Sequence, residues 1–134
     1  MGQGFQHVAA SRRVYSQRVA FDLSILVSDL CIFYGTGPAA LSSILLNDTR
    51  FFQTARYSVI SGTPFKFSSH RMDRALGLIS QIWPSELPWP AEVPRCEPLP
   101  FDDDVQSTEI RAWLKKRRAA KLEKDSKDGE NTQD

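Results

Sequence analysis

Cysteine and histidine are scarce: Cys31, Cys96, His7 and His70 are the whole complement. Cys31 falls inside an apolar helical pattern and Cys96 in a proline-rich stretch, so no disulfide is expected. There is no CxxC pair and no zinc-type spacing, which argues against a metal site. Long apolar runs are also missing. None approaches the roughly eighteen residues that a membrane span requires, and the opening MGQGFQHVAASRR lacks the apolar run of a secretory signal, so a cytoplasmic protein is expected. A Gly-rich phosphate loop, a GxSxG elbow, an HExxH helix and paired carboxylates are all lacking, so no enzyme and no cofactor is expected. Asp102, Asp103 and Asp104 read as a helix-start signal rather than a cation site. No internal repeat is read.

Hydrophobic content of 41% and charged content of 25% describe an ordinary globular chain, and 134 residues suffice for one core with tails. The net charge of +1 hides an asymmetry: residues 1–85 carry eight Lys/Arg against four Asp/Glu, and residues 86–134 nine against twelve. The first part is therefore the better candidate for meeting a polyanion.

Apolar periodicity predicts an all-α chain. Residues 1–11 read as a flexible arm ahead of the basic pair Arg12 and Arg13. Val19, Leu23, Leu26, Leu30 and Phe33 then step by four, three, four and three, which is one face of a helix ending near Tyr34. Gly35-Thr36-Gly37-Pro38 breaks it and sets Pro at the first position of a second helix, where its missing N–H costs nothing. That helix runs from Pro38 to about Leu46 and stops at Asn47-Asp48, with Asn47 suited to a left-handed backbone and Asp48 or Thr49 to capping. A third helix is predicted over about 49–58 and a fourth from a Ser68 or Ser69 cap to Pro84, with Met72, Leu76, Ile79 and Trp83 inward. Residues 12–84 thus form a compact four-helix domain.

Six of the eight prolines lie between Pro84 and Pro100, so residues 85–104 read as an extended linker. Residues 105–124 read as a charged amphipathic helix outside the core, with the basic run Lys115 to Arg118 and Lys121. Residues 125–134 hold no apolar side chain and read as a disordered tail.

The run GPAALSSILLNDTRFFQTARYS followed by SGTPFKFSSHRMDRALGLISQIW resembles, as a pattern, the DNA-binding domains of phage-repressor-type helix-turn-helix regulators, over about residues 19–83. The resemblance implies a sequence-specific transcriptional regulator of bacterial or phage type whose third helix enters the major groove. It implies base contacts from Thr49, Arg50, Gln53 and Thr54. Backbone contacts would come from Arg56 and Tyr57, from Lys66, Ser68, Ser69 and Arg71 around the fourth helix N-terminus, and from Arg12 and Arg13. The family's turn glycine is replaced by Asn47, four residues after Ser43, and its apolar anchor falls at Phe52 rather than at Gln53, so the recognition face has two registers one residue apart.

The partner implied is double-stranded DNA, with a homodimer to engage two half-sites and Trp83 and Trp89 as candidate contacts between chains. The plainer reading makes Arg50, Arg56 and Arg71 solvated surface charges, and His70 a surface residue at a helix start. The alternative function is a protein-binding adaptor or anti-activator that holds its partner through the proline-rich and basic C-terminal segments.

Overall fold

A computed structural model describes the backbone of residues 2–95 and 105–131 and the side chains of residues 15–95 and 108–127. Among these residues the chain is all-helical: α1 (Gly2–Tyr34), α2 (Pro38–Leu46), α3 (Phe51–Ser61), α4 (Ser69–Ile82) and α5 (Val105–Asn131).

Each break has a local cause. Gly35 takes φ +68°, and the Thr36 amide donates to the Cys31 carbonyl at 3.0 Å, a left-handed closure that satisfies the end of α1. Pro38 opens α2 after Gly37, and the axis turns by 102° from that of residues 15–34. Asn47 holds the left-handed turn after α2 at φ 55°, its amide bonded to the Ser43 carbonyl. Gly62 ends α3 in the same way. Ser68 caps α4 by accepting the Arg71 amide, and α4 stops at Trp83, whose extended backbone is what a following proline imposes.

Leu23, Leu26, Val27 and Leu30 of α1 meet Leu41 and Leu45 of α2, Phe51, Phe52 and Ala55 of α3, and Met72, Ala75, Leu78 and Ile79 of α4 in one buried core. The inward stripe of α1 includes Ala20, Val27 and Tyr34 beside the predicted Leu23, Leu26 and Leu30, while Val19 and Phe33 lie at its margin. The α3 helix starts two residues later than expected and runs three further. Asp48 draws the Arg50 amide onto its Oδ1 at 2.9 Å and so holds residues 49–50 in the turn, and nothing breaks the helix until Gly62.

The sequence reading is corrected at both ends and in the linker. Helix α1 is continuous from Gly2, ahead of the expected boundary near Arg12; the side chains of residues 1–14, Arg12 and Arg13 included, lie outside the described residues. The proline-rich stretch is not simply extended. WPSELP and WPAEVP, residues 83–88 and 89–94, are a tandem repeat, and each folds into the same turn. The indole N–H of Trp83 donates to the Leu87 carbonyl at 2.7 Å and that of Trp89 to the Val93 carbonyl at 2.8 Å. Backbone bonds from Leu87 to Pro84 and from Val93 to Pro90 close the two turns. The rings meet at 4.6 Å between centroids, Val93 is buried, and Arg95 lies over Trp89 while bonding Ser80. Both indoles are thus occupied within the chain, which removes their N–H groups from the contacts expected between chains. Residues 96–104, with Cys96 and the three aspartates, lie outside the described residues.

Helix α5 belongs to the core, against expectation. Ile110 and Leu114 are buried, and Arg118 donates from Nη1 to the Phe33 carbonyl at 2.7 Å with its guanidinium 3.8 Å from the Phe33 ring centroid. The amphipathic pattern around Ile110 and Leu114 was legible; the contact of Arg118 with Phe33 on α1, 85 residues away, was not. Residues 125–131, read as tail, continue this helix. The pairs Lys121–Asp125 at 3.4 Å and Glu123–Lys127 at 3.5 Å span successive turns at i,i+4 and favour helix where no apolar residue does.

Candidate nucleic-acid interface

The corner between α2 and α3 is built on Ser42, a fully buried hydroxyl. Ser42 Oγ donates to the Asp48 carbonyl and accepts the Phe52 amide at 3.4 Å, so one side chain ties the end of α2 to the first turn of α3. Asp48 then uses both carboxylate oxygens. Oδ1 accepts the Arg50 amide, and Oδ2 takes Arg71 Nη2 at 2.6 Å, joining the turn to the first turn of α4. The same guanidinium lies 5.3 Å from the Phe51 ring centroid.

This scaffold leaves one face of α3 outward. Phe51, Phe52, Ala55 and Ser58 turn into the core, and Thr49, Arg50, Gln53, Thr54, Arg56 and Tyr57 are all exposed. They do not form a single patch. On a helix, residues three and four apart share a face, which groups Arg50, Gln53, Thr54 and Tyr57 along the outer side. Arg56 and Ile60 run along the flank toward α1, where Arg56 lines a groove with Cys31. Arg56 is thus turned away from Arg50, Thr54 and Tyr57, with Gln53 between the two sides.

The loop before α4 is pinned to α1. Ser16 Oγ both donates to the Phe65 carbonyl and accepts the Phe65 amide, each at 2.8 Å, and Gln17 Nε2 donates to the Gly62 carbonyl at 2.6 Å. Lys66, Ser68, Ser69 and His70 are exposed beside the start of α4. Arg71 is not: it is half-buried and its charge is matched by Asp48. The ion pair lies on two segments with no pattern linking them in sequence, so its signal is spatial alone.

Little in this region is tuned for chemistry. Burial pushes the Cys31 thiol up to about 11, an effect Arg56 only partly offsets, so the sulfur is protonated at neutral pH. No group of three or more His, Cys, Asp or Glu side chains among the described residues could hold a metal ion. No helix among the described residues is long and apolar enough to cross a membrane by itself. What the corner offers is a rigid turn, an outward helix face of one arginine, one glutamine and hydroxyl side chains, and a serine-rich helix start beside a lysine. Comparison with protein-family models, with curated proteins and with solved structures finds no match to this chain.

Proposed function

We propose that this chain is a sequence-specific double-stranded-DNA-binding regulator of transcription that lays α3 in the major groove. The observation that carries the reading is the coincidence of a helix corner held by the left-handed Asn47 with an outer face bearing Thr49, Arg50, Gln53 and Thr54, all exposed. A groove about 12 Å wide admits a helix. There an Arg can pair with guanine O6 and N7, a Gln with adenine N6 and N7, and Thr with either an acceptor or the thymine methyl.

Phosphate contacts come from Tyr57 on the same face and from Lys66, Ser68 and Ser69 at the start of α4, where free backbone amides and the helix dipole favour an anion. Arg71 serves by holding Asp48, and through it the turn, rather than by meeting phosphate. Arg12 and Arg13 are the residues for a backbone or minor-groove contact ahead of the corner.

Selection of the purified chain against a random duplex library tests the reading. A defined site is expected, with Arg50→Ala and Gln53→Ala each costing about 1–3 kcal/mol at one base position. Substituting Lys66 should instead weaken all sequences equally and flatten the salt dependence by about one unit of slope. Weak binding that is blind to sequence and indifferent to Arg50 and Gln53 would reject it in favour of an adaptor. Deleting residues 84–124 does not separate the two readings, because it removes Val93, Ile110 and Leu114 from the core. Lys115 and Lys116 are exposed, so their substitution should leave the fold intact and separate the two readings.

A further inference from the structure

Helix α1 carries a second, largely apolar stripe that the core uses only at the half-buried Ile25. Phe21, Ile25, Ser28 and Ile32 step by four, three and four along the side facing away from Leu23 and Leu30, with Phe21 51% and Ile32 68% exposed. Beside it, Ile60 of α3 is 74% exposed. These side chains line a groove of about 510 Å³ between α1 and α3. Isolated exposed apolar residues are ordinary, but a contiguous stripe at helical spacing marks a surface that another chain covers.

The rim of the groove says which chain. It carries Asp29 from α1 and Arg56 from α3, and neither side chain forms a salt bridge or side-chain hydrogen bond with another described residue. An anionic membrane would reject the carboxylate, and a strongly charged partner would match only one of the two. A face with one unpaired charge of each sign is complementary to itself. The stripe has the same property: with two copies of α1 antiparallel about an axis between Ile25 and Ser28, Phe21 of one protomer lies beside Ile32 of its partner, and the small Ser28 lets the helices approach.

We infer that a second copy of this chain docks on the α1–α3 groove, forming a two-fold dimer with Phe21, Ile25, Ile32 and Ile60 at its centre and Asp29 and Arg56 paired across its rim. This goes beyond the DNA reading and does not depend on it. The face lies on the α1 flank of the second half of α3, and its groove is lined by Arg56, Val59 and Ile60 but not by Gln53 or Thr54.

Sedimentation equilibrium of the full chain, without DNA, tests the inference. A mass of twice the chain is expected at micromolar concentrations, with Ile32→Glu and Ile60→Glu each weakening association by about a hundred-fold, as central apolar anchors do. Both positions are solvent-exposed in the single chain, so unchanged helical circular dichroism shows that the variants fold. Asp29→Arg and Arg56→Asp should each weaken the dimer and together restore it, a reversal expected only of a pairing between copies. A monomer at every concentration overturns the inference, as does a dimer unmoved by these substitutions. A monomer that instead sediments with anionic phospholipid vesicles assigns the groove to a membrane surface.

Discussion

Asp48 and Arg71 lie 23 residues apart in sequence and 2.6 Å apart in space, and this pair fixes the α2–α3 turn against α4. Both side chains are partly solvated, so the Coulomb attraction is screened and the packing of the guanidinium on Phe51 contributes alongside it. Asp48→Ala also releases the Arg50 amide, and is expected to cost about 1–2 kcal/mol. Arg71→Ala should cost less, and a double-mutant cycle by urea denaturation should give a coupling of about 0.5–1 kcal/mol.

The tandem turns make a spectroscopic prediction. Trp83 and Trp89 are close enough for exciton coupling in the far-ultraviolet circular dichroism, and either Trp83→Phe or Trp89→Phe should abolish that feature. Trp83→Phe keeps the buried ring but leaves the Leu87 carbonyl without its donor, for a loss of about 1 kcal/mol. The larger Trp83→Ala change should cost about 3–5 kcal/mol, since it also opens a cavity beside Ile79 and Ile82.

Two glycines near the end of α1 should respond oppositely. Gly35 has φ +68°, and a Cβ there would lie 3.0 Å from Lys121 Cβ, so Gly35→Ala combines backbone strain with displacement of α5 and should cost about 1–2 kcal/mol or more. Gly37 has φ −104° and open space around it, so Gly37→Ser, which adds a capping hydroxyl to α2, should stabilise by about 0.5 kcal/mol. Thermal denaturation of the two variants decides both.

Alkali should unfold the chain early. Burial raises Cys31 from 9.0 to about 11, and burial, then Glu86, raises Tyr34 above its usual 10.0 despite Arg118. Both groups are held neutral in the fold and release protons more readily once unfolded. The Cys31 contribution is complete below about pH 9 and is lost as pH rises toward about 11, and that of Tyr34 is complete below about pH 10 and is lost above it. Cys31→Ser and Tyr34→Phe should flatten that decline in stability-against-pH curves. At pH 8 the Cys31 thiol of a Cys96→Ser chain should react far more slowly with a disulfide reagent when folded than when unfolded.

Much of the fold was legible because it rests on local chemistry. Pro38 as a helix opener, Asn47 as a left-handed turn and Pro84 as a stop act through neighbouring residues and stand where the sequence placed them, and of the two candidate caps Ser68 and Ser69 it is Ser68 that accepts the Arg71 amide. The exposure of Thr49, Arg50, Gln53 and Thr54 follows from the same periodicity that buries Phe51, Phe52 and Ala55. What escaped was non-local, or masked by composition. Proline content suggested an extended chain, whereas the period of six in WPSELP-WPAEVP was the informative signal, since it sets each indole over a carbonyl four residues on. The dense charge of α5 pointed to a solvated helix, although Ile110 and Leu114 are buried and the half-buried Arg118 covers the Phe33 ring beside them. The resemblance set Arg56 beside Tyr57 at the DNA backbone; the helical turn puts it on another flank, where it lines the groove toward α1.

The bond from Arg118 to the Phe33 carbonyl also bears on how the molecule is made. Synthesis delivers α1 well before the helix that covers its C-terminal end, so Phe33 waits for this partner until α5 has left the ribosome. Ribosome-bound intermediates that end before Ile110 would display that apolar end to chaperones, and a stop codon ahead of Leu114 would remove part of the core rather than an ornament.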